Sequence, residues 1–118
     1  MAYLCQILTD GSEGQCWELS DRPLVVGRGD SVEACVDDDS LSRSHFLIVR
    51  EHGEHFLIDL DSRNGTWING HSVSAHKLQP AEIIMAGNSS FCFSLAPLRS
   101  VRPVLALLPQ FAAAARAL

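Results

Sequence analysis

Three arginines fall at strong turn signals: Arg28 between Gly27 and Gly29, Arg43 between Ser42 and Ser44, and Arg63 between Ser62 and Asn64. A guanidinium offers a planar fork of N–H donors, a serine adds a hydroxyl, and an asparagine amide donates and accepts at once. Brought together, such groups suit a phosphate monoester, which carries about −1.5 to −2 charge at neutral pH and three strong acceptor oxygens. Hydrogen bonds to a charged group contribute about 1.5–3 kcal/mol each. Two or three would support a weak but specific complex, in a pocket expected to hold no acid. Taken singly, each arginine reads as a solvated turn residue. The chemistry depends on whether the fold makes the three loops meet.

The elements that would position these loops are short. Residues 59–70 contain Asn64-Gly65 and Asn69-Gly70, pairs that tolerate positive φ and bracket a minimal strand over 66–68. A loop so constrained fixes the directions of Ser62, Arg63 and Asn64. Residues 3–9 and 15–19 read as a hairpin, with Trp17 and Leu19 on one face and Cys16 and Glu18 on the other. Residues 24–26 end at Gly27-Arg28-Gly29, and 34–36 form another minimal strand. Asp37 reads as solvated, whereas Asp38 or Asp39 is placed to accept backbone N–H bonds within its own loop. Residues 46–51 and 54–60 form a hairpin around His52-Gly53, with Phe56, Ile58 and Leu60 alternating toward one face. Residues 78–81 make a corner, and 82–86 pairs with 91–96. Short strands at near-regular spacing, punctuated by Gly, Asn and Asp, give an all-β sandwich.

The 118 residues suffice for one domain with a real core, and nearly half are apolar, which excludes general disorder. A net charge of −5 argues against a nucleic-acid binder, since a basic face supplies most of that affinity. No apolar run reaches the ~18 residues of a membrane span. Cys5, Cys16, Cys35 and Cys92 form no Cys-x-x-Cys pair, and without a leader-like amino terminus they read as free, mostly buried thiols in a reducing cytoplasm.

In order and separation, Gly27-Arg28, Ser42-Arg43-Ser44-His45, Ser62-Arg63-Asn64-Gly65-Thr66 and Asn69-Gly70 resemble the motif series of the forkhead-associated (FHA) domain. The likeness covers about 24–87 by motif and 3–96 by strand pattern, and four motifs in order are far more specific than any one. It implies a β-sandwich of two antiparallel sheets with about eleven strands, reading phosphothreonine through loops at one end. Carried over by residue, Arg28 and Ser42 would bond the phosphate. Arg43 would reach phosphate or peptide backbone, and Asn64 the peptide main chain. Arg63 stands where relatives often carry a small hydroxyl residue or a base. Gly27, His45, Gly65 and Asn69 match structural positions. Ala81-Glu82 departs from a common Gly-Asp, which puts that corner's geometry in doubt.

The resemblance therefore implies a non-catalytic module for proteins phosphorylated on threonine by a Ser/Thr kinase. It is expected to be a cytoplasmic monomer, with no cofactor, metal, nucleic acid or membrane involved. Ser42 or Ser44 with His45 and Asp59 suggests a hydrolase only superficially, because adjacent strand residues such as Ser44 and His45 point to opposite faces. His52 and His55 lack further ligands for a metal. Residues 1–96 are assigned to the sandwich. Residues 97–118 hold Pro97, Pro103 and Pro109 with an Ala-rich end, and read as a tail or short helix carrying Val104, Leu107, Leu108, Phe111 and Ala115. The alternative to a phosphate reader is a phospho-independent scaffold that assembles through its sheet faces or this tail.

Overall fold

Alternating runs bounded by turn residues become eleven strands in the computed structural model, which describes residues 1–96. They are β1 (Ala2–Ile7), β2 (Glu13–Leu19), β3 (Leu24–Gly27), β4 (Ala34–Cys35), β5 (Phe46–Glu51) and β6 (Glu54–Asp59). β7 (Thr66–Ile68), β8 (His71–Ser72), β9 (Ala75–Lys77), β10 (Ile83–Ala86) and β11 (Ser89–Ser94) follow. One sheet has the order β2-β1-β11-β10-β7-β8 and the other β4-β3-β5-β6-β9. Strand pairing is antiparallel except between β3 and β4, which run parallel. The tail or helix expected over 97–118 lies outside the described residues.

The core lies between the sheets. Leu4, Ile84, Phe91 and Phe93 project from one, and Val26, Phe46, Ile48 and Leu57 from the other, all 2% exposed or less. Phe46 meets Phe91 edge to face across the interface, with ring centres 5.8 Å apart. Each such side chain contributes about 1.5–3 kcal/mol by leaving water. Leu41 enters the same cluster from the loop between β4 and β5, fastening that loop to the core.

Two hairpin turns follow directly from residue type. His52 and Gly53 have φ of 53° and 78°, and Asn69 and Gly70 have 54° and 79°. Two consecutive left-handed residues make the turn whose twist matches the flanking strands. Phe56 and Ile58 do share a face of β6, but it is the outward one, and Leu57 fills the core. Periodicity alone does not choose the core face here, because Leu57 between them is apolar too.

The cysteines correct the expectation of four free thiols. Cys5 and Cys16 stand directly opposite on β1 and β2, Cα atoms 4.0 Å apart, and are joined as a disulfide. Only Cys35 and Cys92 are free among the described residues, and Cys35 is exposed. The pairing follows from hairpin register, which residue spacing alone does not reveal.

Register also decides which loops meet. Val26 pairs with Phe46, Phe46 with Asp59, and Ala86 with Thr66. The end of β3, the entry to β5, the exit of β6, the entry to β7 and the β10–β11 turn therefore share one end of the sandwich.

Candidate phosphate-binding loops

At the end of β3 the backbone of 42–43 is laid against the chain. Arg28 N–H donates to the Ser42 carbonyl and Gly29 N–H to the Arg43 carbonyl, both at 3.1 Å. A Cβ on Gly27 would run into the Arg43 carbonyl oxygen, so this crossing requires glycine. The Arg28 Nε–H donates to the Leu41 carbonyl at 2.8 Å. That bond orients the fork while the rest of the side chain stays exposed.

His45 clamps two loops and is fully buried. Its Nδ1 accepts from Ser42 N–H at 3.0 Å, which leaves Nε2 as the donor to the Gly65 carbonyl at 2.8 Å. Ser42 Oγ accepts from Arg63 N–H at 3.0 Å, so its own proton is free for a ligand. Asn64 Nδ2 donates to the Ser40 carbonyl at 2.8 Å, which fixes the amide and leaves its oxygen unspent. Three separate bonds thus bind 40–45 to 63–65.

Two aspartates brace this frame. Asp59 accepts from Ser62 N–H at 3.0 Å, Ser62 Oγ–H at 2.6 Å and Thr66 Oγ1–H at 2.7 Å. Burial pushes its carboxyl up, but the Ser62 and Thr66 bonds outweigh that and hold it below the ordinary carboxylate value. Asp38 accepts from Ser40 N–H at 2.8 Å within its own loop, as its sequence suggested. It also ties that loop to the β10–β11 turn, through Asn88 N–H at 2.8 Å and Ser89 Oγ–H at 2.7 Å. The Asn88 and Ser89 links lie some fifty residues away, and no local pattern announces them.

The five candidate side chains come to this end but not into one cavity. Arg28 and Arg43 line a depression with Gly29, Ser31, Ser44 and Asp30. The expectation of an acid-free pocket is therefore corrected at Asp30. Asn64 lines a neighbouring depression with Ser40, Trp67, Met85 and Asn88. Ser42 and Arg63 belong to neither lining; the bond between them links the loops that carry the two depressions. Trp67 and Met85, each 42% exposed, give the second depression an apolar floor that the sequence reading did not single out. Their outward position depends on β7–β10 register.

Among the described residues, Arg50 and Lys77 form ion pairs with Asp21 and Glu54, whereas Arg28, Arg43 and Arg63 form none. The Ser–His–Asp arrangement of a hydrolase is not assembled. His45 has both ring nitrogens spent on backbone groups, and the Asp59 carboxylate is held by Ser62 and Thr66. At the corner near β10, Ala81 adopts a φ of 69°, the left-handed conformation for which relatives' glycine is suited. Glu82 accepts there from Gln79 N–H at 2.6 Å and lies 3.0 Å from His76 Nε2.

The FHA domain profile matches residues 24–87, more than half of the chain. The chain belongs to the FHA domain family. This FHA domain is 33% identical over 82 residues to the FHA domain-containing protein FhaA of Mycobacterium tuberculosis, covering 70% of this chain. It spans only 15% of the length of FhaA. A structure from work on phosphothreonine-dependent FHA domain interactions superposes with a TM-score of 0.73 and 27% identity, covering 82% of this chain and 98% of that one. EmbR of M. tuberculosis, in complex with a low-affinity phosphopeptide, gives a TM-score of 0.71 at 26% identity, covering 80% of this chain and 24% of EmbR.

Proposed function

We propose that this FHA domain is a phosphothreonine-dependent docking module for proteins modified by a Ser/Thr kinase, acting in the cytoplasm without catalysis. The observation that carries it is that Arg28, Arg43 and Arg63 reach one end of the sandwich on braced loops and form no ion pair among the described residues. A protein that holds three such cations beside a free serine proton and a fixed amide is prepared for an anion with many acceptors. The phosphothreonine-dependent interactions studied in one structurally similar FHA domain, and the phosphopeptide complex of another, support phosphothreonine as that anion.

In this reading Arg28 and Ser42 bond the phosphate and Arg43 reaches phosphate or peptide backbone. Arg63 takes phosphate or a flanking acidic side chain, and Asn64 bonds the peptide main chain beside the phosphothreonine. Gly27, His45, Gly65 and Asn69 hold the loops. Asp30 beside the arginines discourages a second anionic group at that edge of the pocket. The test is phosphopeptide affinity of Arg28→Ala, expected to fall by about 2–3 kcal/mol, roughly 30- to 150-fold, with the fold intact. An Arg28→Ala variant that bound normally would remove Arg28 from the site.

A second reading, assembly through a sheet face, has one specific observation in its favour. On β3, β5 and β6 the outward register Val25–Leu47–Ile58 and the pair Val49–Phe56 are apolar and none is buried. Such a patch marks interaction surfaces. Self-association through it would appear as concentration-dependent size abolished by Leu47→Glu; a monomer at all concentrations excludes it.

A further inference from the structure

Residues directly opposite one another in an antiparallel pair share a face of the sheet. Cys5 of β1 lies opposite Cys16 of β2 on one side and opposite Cys92 of β11 on the other. Three of the four cysteines therefore stand in one outward row, which Ile83 of β10 extends beyond Cys92. Burial rises steeply along it. Cys16 lies on an edge strand and is exposed. Cys5 and Cys92 are 0% exposed and Ile83 2%, in a small apolar cluster flanked by Tyr3, Ile7 and Ala81. The Cys5–Cys16 bridge thus joins a residue at the surface to one in the interior.

A purely structural staple is poorly matched to this place. A disulfide stabilises by restricting the unfolded chain, and it gains more from a longer loop. Only 11 positions separate Cys5 from Cys16. Sheet pairing already holds these strands in register, from Ala2 opposite Leu19 through to Cys5 opposite Cys16. In the reducing cytoplasm proposed for this domain, bridges are rare, and those that form are mostly transient, catalytic or redox-sensing.

We propose that the Cys5–Cys16 bridge is a thiol-exchange site, entered by low-molecular-weight thiols at Cys16 alone. The incoming thiolate attacks Cys16 Sγ and the bond to Cys5 breaks. Cys5 Sγ departs with the electron pair and takes a proton, while Cys16 is left as a mixed disulfide. A second external thiolate then attacks the external sulfur of that mixed disulfide, and Cys16 leaves and is protonated. Two external thiols end oxidised as one external disulfide, and the two cysteines end reduced.

Access sets this direction. Attack on Cys5 would need the nucleophile inside the cluster with Cys92 and Ile83. Cys92, the thiol already there, stays silent. Burial pushes it up to about 12, so its nucleophilic thiolate is scarce, and its S–H is turned to the Phe93 carbonyl at 3.6 Å.

The experiment uses the full chain, folded, in a buffer of reduced and oxidised glutathione. After acid quenching, free thiols are alkylated with N-ethylmaleimide in denaturant and mapped by mass spectrometry. Glutathione is expected on Cys16 with Cys5 released as a free thiol, and at least about tenfold less glutathione on Cys5 or Cys92. Exposed Cys35 is the internal standard for reagent access. A bridge that stays closed while Cys35 is fully glutathionylated, or glutathione shared equally between Cys5 and Cys16, would overturn the proposal. Cys16→Ser provides a second measurement, with its fold checked by circular dichroism. In the folded variant, Cys5 should react with maleimide at least about tenfold more slowly than Cys35, and the difference should vanish in denaturant. Equal rates in the folded variant would refute entry through Cys16 alone. Neither measurement depends on phosphopeptide binding.

Discussion

Replacing His45 by alanine removes the clamp between the two principal loops. The imidazole is fully buried and makes one bond to Ser42 N–H and one to the Gly65 carbonyl. Each backbone group left unpaired costs about 1–3 kcal/mol, toward the lower end here because Ser42 and Gly65 are only half-buried. The cavity left beside Phe46, whose ring meets the imidazole edge to face, adds about 1–2 kcal/mol. The expected loss is about 3–5 kcal/mol, a large share of the 5–15 kcal/mol typical of a small domain. His45→Gln should lose roughly half as much, because one carboxamide reaches one loop but not both. Urea midpoints give the stability, and phosphopeptide titration at a temperature where each variant is folded gives the affinity. Affinity should fall with the clamp, since Ser42 and residues 63–64 lose their relative placement. A His45→Ala domain that is strongly destabilised yet binds within about twofold of the parent would refute the claim that this clamp sets the site.

Ala81→Gly should stabilise the domain. A non-glycine residue at a φ of 69° carries a cost of about 1–2 kcal/mol, partly offset by the greater freedom of glycine when unfolded. A net gain of about 0.5–1 kcal/mol should raise the urea midpoint, and an unchanged or lower midpoint would contradict it. The folded-state pKa of His55 is lowered, first by burial and then by Arg50, and its Nε2 is buried without a partner. The unfolded chain then binds the extra proton, so stability should be full above pH 6.5 and decline as pH falls through the window below it. His55→Phe should abolish that decline. Asp59, also lowered, should add a second loss below its ordinary value of 3.8, and Asp59→Asn should flatten it while lowering neutral-pH stability. Phosphopeptide binding should weaken with salt and as pH falls through the second phosphate pKa near ~6.

What the sequence revealed was local. Asn69-Gly70 and His52-Gly53 announce their turns because the positive-φ requirement is a property of the residues themselves. Gly27, Ser42, His45 and Asn64 were legible through the order of their motifs. What escaped was set by partners remote in the chain. Cys5 meets Cys16 only through the register of β1 on β2. Asp38 finds Asn88 and Ser89 only once β10 and β11 are in place. Asp30 lines the depression with Arg43 because Gly29 N–H is bonded to the Arg43 carbonyl, which brings the two loops together. The facing of β6 was ambiguous for another reason: Leu57, Phe56 and Ile58 are all apolar, so alternation cannot choose between faces.

The central claim is that the braced loops read phosphothreonine. Its most direct test is an amide-shift titration of the full chain with a phosphothreonine peptide library, alongside matched phosphoserine and unphosphorylated pools. The account predicts shifts centred on Arg28, Ser42, Arg43, Arg63 and Asn64 with phosphothreonine, and far weaker ones with phosphoserine. Burial of the threonine methyl alone is worth about 0.8 kcal/mol. The unphosphorylated pool should give none. Silence from all three pools, or equal shifts from the unphosphorylated one, would contradict the account.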